Sequence, residues 1–194
     1  MTEIAFIQSI KNNEPESFRK LVLSYQDMII NTCYGFVKNH TDAEDVAQEV
    51  FIEVYRSISK FREDAKLSTW LYRIAVNKSI DFLRKQKRKI WLGSIQSVFG
   101  SEAKAMVVED KHQPNPQQIL EQNERKIVLQ HAIDKLAENQ KTAFILHKYE
   151  GLSYKEIAKI MDLSLSSVES LMHRSKKNLK KLLYDYYQET MKKT

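Results

Sequence analysis

Glycine and proline are scarce in this chain, with four and three among 194 residues. That leaves little material for tight turns, so a turn-rich architecture is disfavoured and helices are expected. The single cysteine, Cys33, rules out an intrachain disulfide. It sits in the apolar run Ile29-Ile30-Asn31-Thr32-Cys33-Tyr34, where a buried, inert thiol in a reducing compartment is expected. No apolar stretch is long enough to span a bilayer, and Met1 to Ile10 carries Glu3 with no basic flank. Neither membrane insertion nor a secretory leader is therefore expected, and the location is read as cytoplasmic. The histidines His40, His112, His131, His147 and His173 are scattered, without cysteine partners or His-Glu-x-x-His spacing, and there is no glycine-rich phosphate loop. The sequence thus offers no catalytic residue, metal site or cofactor site, and the chain is read as not an enzyme.

What the chain does have is charge, unevenly spread. Hydrophobic residues make up 42% and charged ones 29%, as in soluble globular proteins, and the length suits one or two modest domains. Residues 61–90 hold nine Lys and Arg against three Asp and Glu, and residues 163–194 hold seven against three, while 1–60 is net acidic. Two separated basic patches suggest two contacts with nucleic acid. Between them, 91–120 contains Gly93, Gly100, Pro114 and Pro116 and no clear apolar period. The expected organisation is all-α, with a helical domain over 1–90, a flexible linker over 91–120 and a second helical domain over 121–194.

In the first domain Pro15 suits a first helical turn, followed by Phe18, Leu21, Val22, Tyr25, Ile29 and Cys33 at helical spacing. Thr41 with Glu44 forms a capping box for a helix to about Ser59, and Ser68 or Thr69 caps another to about Arg88. In the second domain helices are predicted near 117–136, 140–149, 154–161 and 165–187, with Gly151 as a C-terminal cap. Ser153 and Glu156 form a second capping box. A short helix with Ile157, Ala158 and Met161 follows, then a tight turn, and Ser164 begins a longer helix. This is a helix-turn-helix plan, with small Ala158 where the helices cross.

Three faces could carry function. On the last helix, at about 100° per residue, Val168, Leu171, Met172, Ser175, Leu179, Leu182, Leu183 and Tyr186 face the core. Ser166, Ser167, Ser170, His173, Arg174, Lys177 and Lys181 lie opposite, short hydroxyls first for approach to base edges and basic residues after them for phosphates. On the helix from Ser68, Trp70, Arg73, Asn77, Asp81, Arg84 and Arg88 share one side and Tyr72, Ala75, Val76, Ser79, Phe82 and Leu83 the other. A basic, amide-bearing face led by an aromatic suits a single strand. On the helix after Thr41, Asp45, Gln48, Glu49, Ile52 and Tyr55 project away from the stripe Ala43, Val46, Ala47, Val50 and Val54. Acidic groups around exposed apolar ones suit a protein partner. Each face also has a plainer reading, as the solvated side of an amphipathic helix.

The runs Asp42-Ala43-Glu44-Asp45-Val46-Ala47-Gln48-Glu49-Val50-Phe51, Phe61-Arg62 before Ser68-Thr69-Trp70-Leu71-Tyr72-Arg73-Ile74-Ala75-Val76-Asn77, and Gly151-Leu152-Ser153-Tyr154-Lys155-Glu156-Ile157-Ala158 occur in this order. Together they resemble the extracytoplasmic-function (ECF) sigma factors of bacterial RNA polymerase. The resemblance implies a region 2 helical bundle, a region 4 helix-turn-helix, and promoter-specific initiation with core RNA polymerase. It implies that Asp45, Gln48, Glu49, Phe51, Ile52 and Tyr55 dock on the β′ clamp helices, with the β flap a further contact. It places Arg62, Lys66, Ser68, Thr69, Trp70, Arg73, Asn77 and Arg84 on the minus-10 element, where the loop from Arg62 to Thr69 holds a flipped base. Ser166, Ser167, Ser170, His173, Arg174, Lys177 and Lys181 fall on the minus-35 element, and an anti-sigma factor is a further implied partner. One departure is Leu136-Ala137 where the family usually has Leu-Pro. The competing reading is a helix-turn-helix regulator that acts without polymerase, which leaves the acidic face and the patch at 61–90 without a task.

Overall fold

The computed structural model describes residues 3–12, 14–62, 64–97 and 116–191. These form eight helices: α1 (Glu3–Lys11), α2 (Pro15–Val37), α3 (His40–Ser57), α4 (Leu67–Ser97), α5 (Pro116–Asp134), α6 (Glu138–Lys148), α7 (Tyr154–Met161) and α8 (Leu165–Met191). A 3-10 turn, Ile58–Lys60, follows α3, and there is no strand among the described residues. The interval expected as a linker is helical at both ends, since α4 reaches Ser97 and α5 begins at Pro116. The stretch 98–115 lies outside the described residues.

The first half is built on α2, α3 and α4, with α1 packed against them. Helix α1 was not expected from the sequence; Ile7 and Ile10 anchor it in the core. Pro15 opens α2, and the helix ends at Lys38 in the left-handed conformation, φ 60°, its N–H donating to Tyr34 O. The expected cap of α3 needs correction. Asn39, not Thr41, is the N-cap: its backbone is extended and its side chain accepts from Asp42 N–H at 3.0 Å. A short amide one residue ahead of the helix reaches the third helical N–H, and Thr41 is left inside the first turn. The stripe Ala43, Val46, Ala47, Val50 and Val54 is buried as the periodicity predicts. Helix α4 likewise starts earlier than expected, at Leu67, which is itself buried in the core and leaves Ser68 and Thr69 inside the first turn rather than at the cap.

Buried hydroxyls in this half find partners along their own helices: Thr32 donates to Met28 O at 2.7 Å and Ser79 to Ala75 O at 2.8 Å. Cys33 is fully buried, and burial pushes its thiol up to about 11. A thiol held protonated and out of solvent is inert, as its place in the apolar run implied.

The second half follows its local signals closely. After α6 the chain turns at Gly151, φ 66°, and Leu152 N–H returns to Leu146 O at 3.2 Å. Ser153 caps α7 reciprocally: its hydroxyl accepts from Glu156 N–H while the Glu156 carboxylate accepts from Ser153 N–H at 2.9 Å. The Ser153 hydroxyl, its N–H and nearby charge hold the Glu156 carboxyl below its ordinary range. Helix α7 ends at Asp162, φ 54°, and Ser164 Oγ accepts from Ser167 N–H to start α8. Val168, Leu171, Met172, Ser175 and Leu179 are buried as predicted, but Tyr186 is exposed because α8 has outrun the helices that cover its earlier turns.

Ala137, at the family's proline position, caps α6 with φ −59° and ψ 146°. That φ is the value a proline ring imposes. Ala137→Pro is therefore expected to raise stability by about 0.4–1 kcal/mol by restricting the unfolded chain, read from the midpoint of urea unfolding.

The two halves share a core. Phe36, Tyr72 and Val76 of the first are in one buried cluster with Ala143, Ile145, Leu146, Ile157, Ala158, Ile160, Val168, Leu171 and Met172 of the second. A further cluster of Ala132, Ile133, Leu136 and Leu179 ties α5 to α8.

Candidate nucleic-acid interface

The α8 face is open. Ser166, Ser170, His173, Arg174, Lys177 and Lys181 are exposed and Ser167 is half-buried. Ser164 Oγ lies 3.0 Å from Ser166 Oγ and 2.7 Å from Ser167 Oγ, so the hydroxyls of the first turn form one small network. Such short side chains let a helix end come close to a groove floor. Arg174 folds back along the helix, its Nε donating to Ser170 O at 3.2 Å, which carries the guanidinium toward the serine end. Lys177 and Lys181 stand one and two turns farther on.

The α4 face is only partly open, which the sequence did not foretell. Arg62 and Lys66 are exposed in the loop before the helix, and Glu63 between them lies outside the described residues. Thr69 is buried, Ser68 half-buried, and the half-buried Trp70 ring lies 5.1 Å from that of buried Phe61. Arg73 donates from Nε and Nη2 to Lys159 O near the end of α7, the Nε distance being 3.0 Å. Arg84 forms a fork on Glu138, with Nε to Oε2 at 3.2 Å and Nη2 to Oε1 at 2.7 Å. A cavity of about 470 Å³ remains between α4 and the α6–α7 pair, lined by Arg73, Asn77 and Arg84 on one side and Glu138, Asn139 and Asp162 on the other. The basic face sorted on a helical wheel thus lines a cleft against the other half of the molecule, with Asn77, Asp81, Arg84 and Arg88 still exposed.

The α3 face is open and acidic. Asp45, Gln48 and Glu49 are exposed, Ile52 and Tyr55 are 45% and 56% exposed, and Phe51 is half-buried against the core. Phe18 packs edge-on to the Tyr55 ring at 5.2 Å. Sequence reasoning missed the far wall of this face. Lys78, Phe82 and Lys85 of α4 stand across from Asp45, Gln48, Glu49 and Ile52 and make a groove of about 420 Å³. Lys78 Nζ lies 3.1 Å from Glu53. The signal was present, because Lys78, Phe82 and Lys85 recur at helical spacing, but only packing sets them against α3.

Also missed were the groups that join the halves. The Tyr72 hydroxyl donates to Glu150 Oε2 at 3.3 Å. Burial raises the pKa of both, and the hydrogen bond from Tyr72 only partly restrains Glu150. Lys38 Nζ sits 4.1 Å from the centre of the Tyr149 ring, a cation–π contact. Burial first, and the Lys141 charge second, draw its pKa down to about 8.

The sigma-70 region 2 family matches residues 21–89, and the sigma-70 region 4 family matches 126–179. The ECF RNA polymerase sigma factor SigW of Bacillus subtilis (strain 168) is 35% identical over 182 residues, which covers 92% of this chain and 95% of that one. The chain belongs to the ECF RNA polymerase sigma factors. In this sigma factor region 2 takes in most of α2, all of α3 and α4 up to residue 89, and region 4 runs from within α5 into α8. The fold agrees with two solved structures. CnrH, in complex with the cytosolic domain of CnrY, matches at TM-score 0.63 and 21% identity, over 93% of this chain and 96% of that one. The sigma factor RpoE of Bartonella quintana, in complex with the anti-sigma factor NepR, matches at TM-score 0.59 and 20% identity, over 87% and 98%. The family accounts for both halves of the chain, whereas a helix-turn-helix regulator acting without polymerase accounts for the second alone. No helix among the described residues is long and apolar enough to cross a membrane.

Proposed function

We propose that this sigma factor binds core RNA polymerase through the groove between α3 and α4 and directs initiation by using α4 on the minus-10 element and α8 on the minus-35 element. Asp45, Gln48, Glu49, Phe51, Ile52 and Tyr55 meet the β′ clamp helices. The loop residues Arg62 and Lys66, with Ser68, Thr69, Trp70, Arg73, Asn77 and Arg84 of α4, take the opened strand. The serines of α8 with Arg174 approach base edges, and His173, Lys177 and Lys181 lie toward phosphates. In this reading the chain catalyses nothing itself and works in the cytoplasm with the polymerase. Like the Bartonella relative it has an anti-sigma partner, and its domains are 1–90 and 121–194 with a linker between.

The observation that supports this best is the acidic groove with Ile52 and Tyr55 exposed at its rim, since DNA binding alone has no use for it. Replacing Gln48 and Glu49 together by Ala removes two exposed side chains from the groove and none from the core. Loss of interface anchors of this kind costs about 2 kcal/mol or more, about thirtyfold in affinity. Core-polymerase pull-down and run-off transcription are expected to fall together, with the helical circular-dichroism signal unchanged. Unchanged capture of core polymerase would remove the groove from the interface.

A further inference from the structure

Between Leu165 and Tyr184, α8 holds five Lys and Arg and a single acidic residue, Glu169. Its side chain is exposed and borders the open face, about 60° around the axis from Ser166 and about 40° from His173. No hydrogen bond or ion pair holds its carboxylate among the described residues, not even with His173 one turn on. An unpaired carboxylate on a surface meant for a polyanion weakens contact with every phosphate near it. Two plainer roles do not account for its place. The dipole at the start of a helix rewards an acidic group within the first turn, and Glu169 is the fifth residue of α8. Nor does it close the cap, because Ser164 Oγ already accepts from Ser167 N–H. Its length matters too. The hydroxyls of Ser166 and Ser170 end one bond beyond Cβ, whereas the Glu169 carboxylate stands well past them. A helix end brought close to the groove by its serines therefore carries that carboxylate to the base edges ahead of them.

We propose that Glu169 is a specificity residue of α8, whose carboxylate accepts a hydrogen bond from the 4-amino group of one cytosine in the minus-35 element. The proposal rests on the reading of α8 given above. In the major groove guanine and thymine present acceptors and no donor, so a carboxylate meets only repulsion there. Adenine presents its N6 donor beside its own N7 acceptor, which one carboxylate oxygen would oppose. Cytosine presents an amino donor with no acceptor on the same base, and is the base a carboxylate suits best. Glu169 thus selects in two ways, by one favourable bond to cytosine and by repulsion of the bases that lack a donor. It lowers affinity for most sequences and sharpens the choice among them. The neighbouring serines, able to donate or accept, make no such distinction.

The test is binding of holoenzyme, full-length sigma factor with core polymerase, to a duplex library randomised across the minus-35 element, with bound and unbound pools sequenced. Glu169→Ala and Glu169→Gln are compared with wild type; the residue is exposed and off the buried stripe, so both variants are expected to fold. At one position the wild type should prefer cytosine about tenfold over guanine and thymine. Glu169→Ala should erase that preference while binding to the other sequences strengthens. Glu169→Gln should move the preference to adenine, whose N6 and N7 match an amide. Stronger binding of Glu169→Ala to all sequences alike, with every preference intact, overturns the proposal and makes the carboxylate a repulsive charge only. So does a wild-type preference for guanine or thymine at the position that Glu169→Ala relaxes. In either case the reading of α8 stands if Arg174→Ala still relaxes a preference of its own. If neither Arg174→Ala nor Glu169→Ala changes any minus-35 preference, the reading of α8 fails and the proposal fails with it.

Discussion

Trp70→Ala is expected to reduce open-complex formation on duplex promoters by about five- to 150-fold, the equivalent of the 1–3 kcal/mol that an aromatic platform gives a stacked base. The loss should be largely restored on templates with a pre-opened bubble, where the strand no longer has to be captured as it unpairs. The structure adds a complication that the sequence concealed, because the Trp70 ring also packs on Phe61. Truncation therefore removes some packing as well as a stacking surface. Trp70→Phe separates the two: it keeps a ring against Phe61 and a smaller platform, and is expected to retain stability while melting falls only in part. Permanganate footprinting on the two templates reads the result. Equal loss on duplex and bubble would assign Trp70 to the region 2 core.

Arg174→Ala and Lys181→Ala are expected to damage promoter binding in different ways. Arg174 is turned toward the serine end of α8 by its bond to Ser170 O, the end that enters a major groove in helix-turn-helix docking. Losing a base contact costs about 1–3 kcal/mol of discrimination at one position. Lys181 stands two turns on and is exposed, placed for a phosphate. Its removal is expected to weaken all sequences alike and to lower the salt slope by about one. Holoenzyme binding to a library of minus-35 variants at two salt concentrations distinguishes these outcomes. If Lys181→Ala changes the preferred sequence and Arg174→Ala does not, the docking of α8 is off by about one turn.

The sequence determined most of what is local. The stripe Ala43, Val46, Ala47, Val50 and Val54 and the stripe Val168, Leu171, Met172, Ser175 and Leu179 are buried as their spacing requires, because the 3.6-residue period decides which side chains share a side. Ser153 with Glu156 and Ser164 with Ser167 N–H were legible because a cap joins groups three residues apart. The start of α3 was less so: Asn39 and Thr41 were both chemically able to cap it, and Asn39 holds the position.

What only the tertiary structure decided is the use of faces that look polar on their own helix. Nothing in the spacing of Arg73, Asn77 and Arg84 says whether water, DNA or another helix lies opposite. Tyr72 meets Glu150 across 78 residues of chain, and Gly35 meets Ile145 across a still longer interval. A wheel reports how a side chain is oriented about its own axis. Which second surface comes to lie over it depends on how two amphipathic units bury their remaining apolar area together, and that is a property of the whole fold.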